Sequence, residues 1–178
     1  MKTTYLIAAA LLATSTSLWA QDDAVIQLSL TPKIALYPST TRINGFALNI
    51  WGENPQTSFN LGLVNGSTRD SGGLSLAIIN FDQSYEGVQL GVFNYSWENF
   101  TGWQSGLINV AHGNFEGLQT GAVNVGGNTS GLQLGLINYS EHLNGLQIGA
   151  INVAMDNPWF TEFPSKLAQG FPIVNWSF

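Results

Sequence analysis

A row of glutamines is the most regular set of polar side chains in the chain. The row recurs every 14 or 15 residues, at Gln89, Gln104, Gln119, Gln133 and Gln147. Each amide carries two N–H donors and a carbonyl acceptor, so the row could line a lumen or bind a saccharide. Stacked side by side, the same amides could instead form a hydrogen-bonded ladder or a polar filling. Because the spacing is so regular, we favour the structural interpretation.

The titratable side chains form no recognisable catalytic or metal-binding pattern. His112 and His142 lie in separate turns, and the chain has no Cys and no H-x₃-H or H-E-x-x-H spacing. It also has no G-x-S-x-G elbow and no phosphate-binding loop. Acids in the connections could meet at one rim as a glycosidase-like pair, although acids in turns are ordinarily solvated. These acids are Asp82, Glu86, Glu98 and Glu116. The sequence therefore predicts a protein that is not an enzyme and that binds no cofactor or metal.

Composition narrows the classes of partner. Only 9% of the 178 residues are charged, the formal net charge is −6, and no polybasic stretch occurs. Nucleic-acid binding requires clustered Lys and Arg to neutralise phosphates, so we expect no nucleic-acid partner. Without Cys, the chain can form neither a disulfide nor a lipid anchor on an N-terminal cysteine.

The first 20 residues have the layout of a secretory signal peptide. Lys2 supplies a positive charge, an apolar run follows at 5–13, and small and polar residues lead to a cut after Ala20. The sequence thus predicts a signal peptide at 1–20, a single β-repeat domain at 21–178, and export of the mature protein.

An eight-residue unit recurs through the second half of the chain. Six copies match closely, and their first glycines lie 14, 15, 15, 14 and 14 residues apart. They read GLSLAIIN (73–80), GVQLGVFN (87–94), GWQSGLIN (102–109), GLQTGAVN (117–124), GLQLGLIN (131–138) and GLQIGAIN (145–152). Diverged copies precede them at 58–65 and 45–52. A fixed period of this length indicates a repeat architecture.

Alternation within each copy predicts β-strands. In the fifth copy, Leu132 and Leu134 share one face, while Gln133 and Gly135 lie on the other. None of the six copies contains Asp, Glu, Lys or Arg. We therefore expect each repeat to form one uncharged strand followed by a polar turn.

Two all-β folds can accommodate such an array. One is a closed antiparallel meander β-barrel of about ten strands, with one strand per repeat. The other is a β-solenoid, in which each repeat winds one coil and identical residues stack. The C-terminal end favours the barrel, because Val174, Trp176 and Phe178 place apolar residues at alternate positions of a final strand that ends on Phe. That pattern resembles the assembly signal of outer-membrane barrels.

The chain as a whole resembles small, largely uncharacterised repeat proteins exported by Gram-negative bacteria. The resemblance covers 24–178 and rests on the G-[LVF]-Q-x-G-[LAV]-[IVF]-N units, the opening VIQLSLTPK (25–33) and the closing FPIVNWSF (171–178). It implies a surface or outer-membrane location and brings no catalytic residues with it.

We expect an outer-membrane β-barrel of structural or weakly pore-like role, with outer-membrane lipid and the barrel-assembly machinery as partners. The alternative is a β-solenoid adhesin or binding module at the cell surface, with the Gln and Asn rows as its contact face. In that case the protein could also be periplasmic.

Overall fold

The computed structural model describes residues 23–178, which form a parallel β-solenoid of about seven turns. Its strands are β1 (Asp23–Thr31), β2 (Ile34–Ala35), β3 (Arg42–Glu53), β4 (Thr57–Gly66), β5 (Ser71–Leu76), β6 (Ile79–Asp82), β7 (Tyr85–Leu90), β8 (Phe93–Ser96), β9 (Phe100–Ser105), β10 (Ile108–Ala154) and β11 (Gly170–Ser177). β10 runs through 47 residues and passes through several successive coils. The predicted signal peptide lies outside the described residues. Within 23–178, no helix is long and apolar enough to span a membrane.

The strands pair in parallel, so the predicted antiparallel barrel is wrong. β7 lies between β5 and β9, and its Tyr85 is opposite Ser71 on one side and Phe100 on the other. Each step between paired residues equals one sequence repeat. A meander would instead reverse the chain direction between neighbouring strands. The chain therefore winds around an axis, and identical positions of successive repeats stack on one another.

A bend inside each repeat explains why one repeat makes one coil rather than one strand. β7 ends at Leu90, and β8 begins at Phe93 after a bend at Gly91 and Val92. The two strands of a coil are thus joined by this bend at one end and by the polar turn at the other. The bend also breaks the expected alternation, since the sequence neighbours Leu136 and Ile137 are both exposed.

The first glycine of each repeat is required by the stacking. Gly117 has a φ of 130°, and a Cβ built on it would lie 2.0 Å from the carbonyl oxygen of Gly102 in the preceding coil. An L side chain rarely adopts this φ and would collide with backbone. Equivalent positive φ angles occur at Gly73, Gly87, Gly102, Gly131 and Gly145.

The glutamine row runs through the interior as a ladder. Gln104 Nε2 donates to Gln89 Oε1 at 3.1 Å, and Gln119 Nε2 donates to Gln104 Oε1 at 2.9 Å. Gln133 and Gln147 continue the ladder with bonds of 2.8 Å each. All five side chains are buried. Every Gln therefore donates toward the N-terminal end of the solenoid.

A row of asparagines, the last residue of each unit, forms a second interior ladder. Asn94 Nδ2 donates to Asn109 Oδ1 at 2.8 Å and also to the Ser105 carbonyl at 3.0 Å. The next two coils repeat the same pair of bonds. The Asn ladder donates toward the C-terminal end, so its side-chain dipoles run opposite to those of the Gln ladder.

Two further rows complete the interior. One contains stacked rings, with centroids 5.9 Å apart between Tyr85 and Phe100 and 5.8 Å apart between Phe100 and Phe115. The other consists mostly of small residues, including Ser96, Ala111, Ser140 and Ala154. The core thus combines a narrow aromatic stack with two hydrogen-bonded amide rows.

An antiparallel strand pairs with the terminal coil at each end of the solenoid. β2 pairs with β1 at the N-terminal end, and β11 pairs with β10 along Gly145–Val153 at the C-terminal end. An uncovered strand would present free N–H and C=O groups to another chain. β11 therefore caps the C-terminal end and limits end-to-end association there, whereas β2 pairs only with Ser29 and Thr31 of β1.

Substituting Gly117 by alanine tests the stacked glycines. We expect Gly117→Ala to lower the free energy of unfolding by about 2 kcal/mol or more, because of backbone strain and the collision with Gly102. Gly170→Ala is the matched control, since the nearest atom to its added Cβ lies 4.0 Å away. Chemical denaturation would measure both variants, and equal stabilities would contradict the stacking.

Candidate binding surface

The first strand of each coil presents its apolar side chains outward. Two rows of these side chains run from β1 to β11, and we call them together the outer sheet. One row contains Ile26, Phe46, Phe59, Leu74, Val88, Trp103, Leu118, Leu132, Leu146 and Trp176. The other contains Leu28, Leu48, Leu61, Leu76, Leu90, Ser105, Thr120, Leu134, Ile148 and Val174. Ser105 and Thr120 alone interrupt the second row, and Trp103 Nε1 donates to Thr120 Oγ1 at 3.0 Å.

The bend of each coil forms an exposed apolar ridge beside the outer sheet. Its residues stack through backbone bonds, from Val92 N to the Ile78 carbonyl and from Leu107 N to the Val92 carbonyl, both 2.9 Å long. The exposed fractions are 51% for Ile78, 57% for Leu107 and 63% for Leu136. The whole ridge comprises Ile50, Leu63, Ile78, Val92, Leu107, Ala122, Leu136 and Ala150.

The opposite side of each coil, which we call the turn edge, is polar. Asn114 Nδ2 donates to Asn99 Oδ1 at 2.8 Å, and Asn128 Nδ2 donates to Asn114 Oδ1 at 2.9 Å, so the turns form an exposed third amide row. A shallow groove of about 360 Å³ lies beside this row and is also lined by His142 and Asp156. The surface is thus divided into an apolar outer sheet and ridge and a polar turn edge.

The predicted glutamine row does not reach this surface. Because Gln89, Gln104, Gln119, Gln133 and Gln147 lie inside the coils, they face neither a lumen nor a ligand approaching from solvent. The Asn row of the repeats is equally buried, for example at Asn109 and Asn124. These rows therefore do not form the expected contact face, and the exposed side chains between them are apolar.

Of the three residues predicted as a membrane-assembly signal, Val174 and Trp176 lie on the capping strand β11 and Phe178 follows it. Trp176 pairs with Leu146 and donates from Nε1 to the Pro164 carbonyl at 2.8 Å, while Val174 pairs with Ile148. Phe178 follows the strand and is 74% exposed. In the solenoid these residues cover the last coil, and their role in assembly stays a prediction.

The histidines and most of the acids lie apart on the turn edge. His142 Nδ1 is 3.6 Å from Asp156 Oδ2, and the His112 ring contacts Tyr95 edge-on with centroids 5.3 Å apart. Glu86 and Glu116 share one row but are two coils apart, separated by Thr101. Among residues 23–178, no group of three or more His, Asp or Glu side chains could hold a metal ion. The predicted absence of catalysis stays a prediction.

Asp82 is the acid that sequence reasoning misplaced. It was expected in a solvated turn, but its side chain lies in the small-residue row of the interior, in line with Ser96. Gln89 Nε2 donates to Asp82 Oδ2, so the carboxylate terminates the Gln ladder. The repeat spacing could have predicted this buried position. Asp82 lies two residues after Asn80, just as the buried Ser96 lies two residues after Asn94.

Burial also raises the pKa values of two side chains at this end of the ladder, Asp82 and Tyr85. Desolvation raises the pKa of Asp82 to about 7, although hydrogen bonds from Ser96 and Gln89 oppose the shift. Burial, and then the charge of Asp82, raise the pKa of the Tyr85 phenol above its usual value. Asp82 Oδ1 and Tyr85 Oη are both buried without a hydrogen-bond partner in the protein.

The fold and surface together define the protein as a parallel β-solenoid with an interior of amide ladders and an apolar exterior. A scan against protein-family models, a search of curated proteins and a search of solved structures each found no match.

The buried carboxylate should make stability depend on pH. The pKa of Asp82 is about 7 in the folded state, against an ordinary 3.8, so the folded state holds its proton where the unfolded state has lost it. The free energy of unfolding should therefore fall as pH rises from 3.8 to about 7. The slope should be about 1.4 kcal/mol per pH unit at most.

Denaturation of the wild type and of Asp82→Asn across this range would measure the effect. The unfolding free energy of the wild type, relative to that of Asp82→Asn, should fall as pH rises to about 7 and then level off. Asp70→Asn, in an exposed connection, is the control and should run parallel to the wild type. Parallel curves for Asp82→Asn as well would contradict a buried, proton-binding carboxylate.

Proposed function

We propose that this protein is an exported β-solenoid binding module of the bacterial cell surface, with a non-catalytic role. The observation that carries the proposal is the apolar outer surface, meaning the outer sheet together with the ridge. It extends over the whole length of the solenoid, from Ile26 on β1 to Trp176 on β11.

Exposed apolar surface on this scale favours an interaction role. Contiguous apolar patches larger than a few hundred Å² on soluble proteins mark sites that contact a partner or a membrane. Here the amides occupy the core, while side chains such as Leu48, Leu107 and Leu136 remain at the surface. Hydrocarbon groups contribute contact area and desolvation, but they cannot transfer a proton or act as nucleophiles. This chemistry supports binding rather than turnover.

Export is part of the same proposal. The layout of residues 1–20 supports secretion, and the repeat pattern resembles that of exported Gram-negative proteins. The chain contains no cysteine, so its fold does not depend on disulfide formation after export.

A second candidate function uses the turn edge. The exposed row of Asn99, Asn114 and Asn128 presents hydrogen-bonding groups at regular intervals beside the groove near His142. Planar amides next to a shallow groove suit the hydroxyl groups of a glycan. In this second function the turn edge, rather than the apolar surface, would be the contact site.

Retention on isolated cell envelopes tests the proposal. A surface variant combining Leu48→Ser, Leu61→Ser, Leu107→Ser and Leu136→Ser should bind envelopes at least tenfold more weakly than the wild type, because exposed apolar area is lost. An edge variant combining Asn99→Ser, Asn114→Ser and Asn128→Ser is the matched control and should bind normally.

The opposite pattern, with loss only in the edge variant, would favour the glycan-binding function. Unchanged retention in both variants would contradict a binding role for either surface. Circular dichroism and thermal unfolding should show that both variants remain folded, since all of the substituted side chains are exposed.

A further inference from the structure

We propose that the partner of the apolar outer surface is the hydrocarbon of a lipid bilayer. In this arrangement the solenoid axis lies in the plane of the membrane, the ridge is immersed and the turn edge remains in water. The inference rests on the contact surface assigned under the proposed function and adds the chemistry and orientation of its partner.

Charge is segregated in the way that an interfacial protein requires. Within the described residues 23–178, no position of the ridge or the outer sheet carries Asp, Glu, Lys or Arg. Acidic side chains lie instead on the turn edge, at Asp70, Glu86, Glu98, Glu116, Glu141 and Asp156. Because a strand, a bend and a second strand separate successive turns, the ridge and the turn edge lie at opposite ends of each coil. A bilayer surface changes in the same way over a short distance, from apolar acyl chains to water, so it matches a coil with an apolar ridge at one end and a charged turn at the other.

The shape of the apolar surface fits a fluid better than a folded partner. Ten strand positions stack along the outer sheet, and at about 4.8 Å per strand they span about 43 Å. The apolar surface then turns over the ridge, where Leu107 and Leu136 are the most exposed side chains. One rigid partner would meet either the sheet or the ridge, whereas acyl chains can cover both. At the C-terminal end, a second copy adding to a strand edge is opposed by the cap β11.

An apolar groove connects the outer sheet to the ridge near the N-terminal end. It has a volume of about 530 Å³ and is lined mainly by Leu28, Leu30, Ile34, Leu48 and Ile50. The lining is mostly hydrocarbon and open to solvent, so an acyl chain could lie along it.

Aromatic rings with polar atoms lie between the apolar and polar surfaces. The rings of Tyr95 and Trp97 meet edge-on with centroids 4.5 Å apart, directly before the polar turn that contains Glu98. Trp97 is 60% exposed. Trp and Tyr favour the headgroup level of membranes, where one end of the ring is apolar and the other is hydrated.

The charge of the protein specifies the class of lipid. With a net charge of −6 and an acidic turn edge, the protein gains no attraction from anionic headgroups. Binding should therefore depend on apolar insertion into zwitterionic membranes and should be insensitive to salt.

Flotation with vesicles of pure phosphatidylcholine tests the proposal. The exported chain should float with the vesicles at both low and high salt. A ridge variant combining Val92→Ser, Leu107→Ser and Leu136→Ser should lower the partition coefficient about 100-fold, from the apolar area no longer buried in lipid. The edge variant should partition like the wild type.

Orientation can be read from single labels, because the chain has no native cysteine. A fluorophore on Leu107→Cys should shift to the blue with vesicles and be quenched by lipids brominated in their acyl chains. The same fluorophore on Asn114→Cys should keep its spectrum in water. Quenching of both labels, or of the Asn114→Cys label alone, would overturn the proposed orientation.

Two outcomes would overturn the lipid partner while leaving the proposed function intact. One is surface-dependent retention on envelopes with no flotation on protein-free vesicles, which would identify an envelope protein as the partner. The other is a blue shift at Leu107→Cys without vesicles, increasing with protein concentration and accompanied by dimer sedimentation, which would identify a second copy.

Discussion

The structure depends on one constraint, which is that amides buried in the core must satisfy their hydrogen bonds. An unsatisfied buried polar group costs about 1–3 kcal/mol, and each of the five repeats from Gly87 to Asn152 buries both a Gln and an Asn. A side chain of identical length in the next coil is the simplest partner, as Gln119 shows by donating to Gln104 and accepting from Gln133. The copies from Gly87 onward therefore keep the same Gln and Asn, whereas their outward-facing positions vary among Leu, Val, Ile, Trp, Ser and Thr.

The same constraint accounts for the character of the surface. With the interior occupied by amides and a short aromatic stack, the branched apolar residues of each repeat face outward. Glycine fixes the close approach between coils, and the polar turns collect the charges at one edge. The resulting solenoid carries its polar groups inside and along one side, with hydrocarbon over most of the remainder. Our proposals of a binding role and a lipid partner follow from this distribution.

The sequence predicted the repeat and the all-β architecture, but neither the direction of strand pairing nor the position of every charge, since Glu86 and Glu116 lie within strands. Alternation reports which residues share a face and is identical in parallel and antiparallel sheets. The terminal Phe178 then favoured a barrel, although β11 forms a cap. The bend at Gly91 could not be predicted, because the apolar residues Val92 and Phe93 follow it and continue the apolar pattern of the strand. Asp82 was assigned to solvent from its residue type, whereas its spacing from Asn80 places it inside. The solenoid hypothesis placed the Gln and Asn rows outside, whereas both rows lie inside because stacked amides satisfy one another's hydrogen bonds there.

Hydrogen exchange of the side-chain amides is the most direct measurement of the central claim. In a ¹⁵N-labelled protein, the Nε2 protons of Gln104, Gln119 and Gln133 should exchange far more slowly than those of Gln83, whose amide lies at the surface beside Glu98. Slow exchange confined to the ladder residues would agree with a solenoid held together by stacked buried amides. Equally fast exchange at all four glutamines would place the row in contact with water and contradict the account.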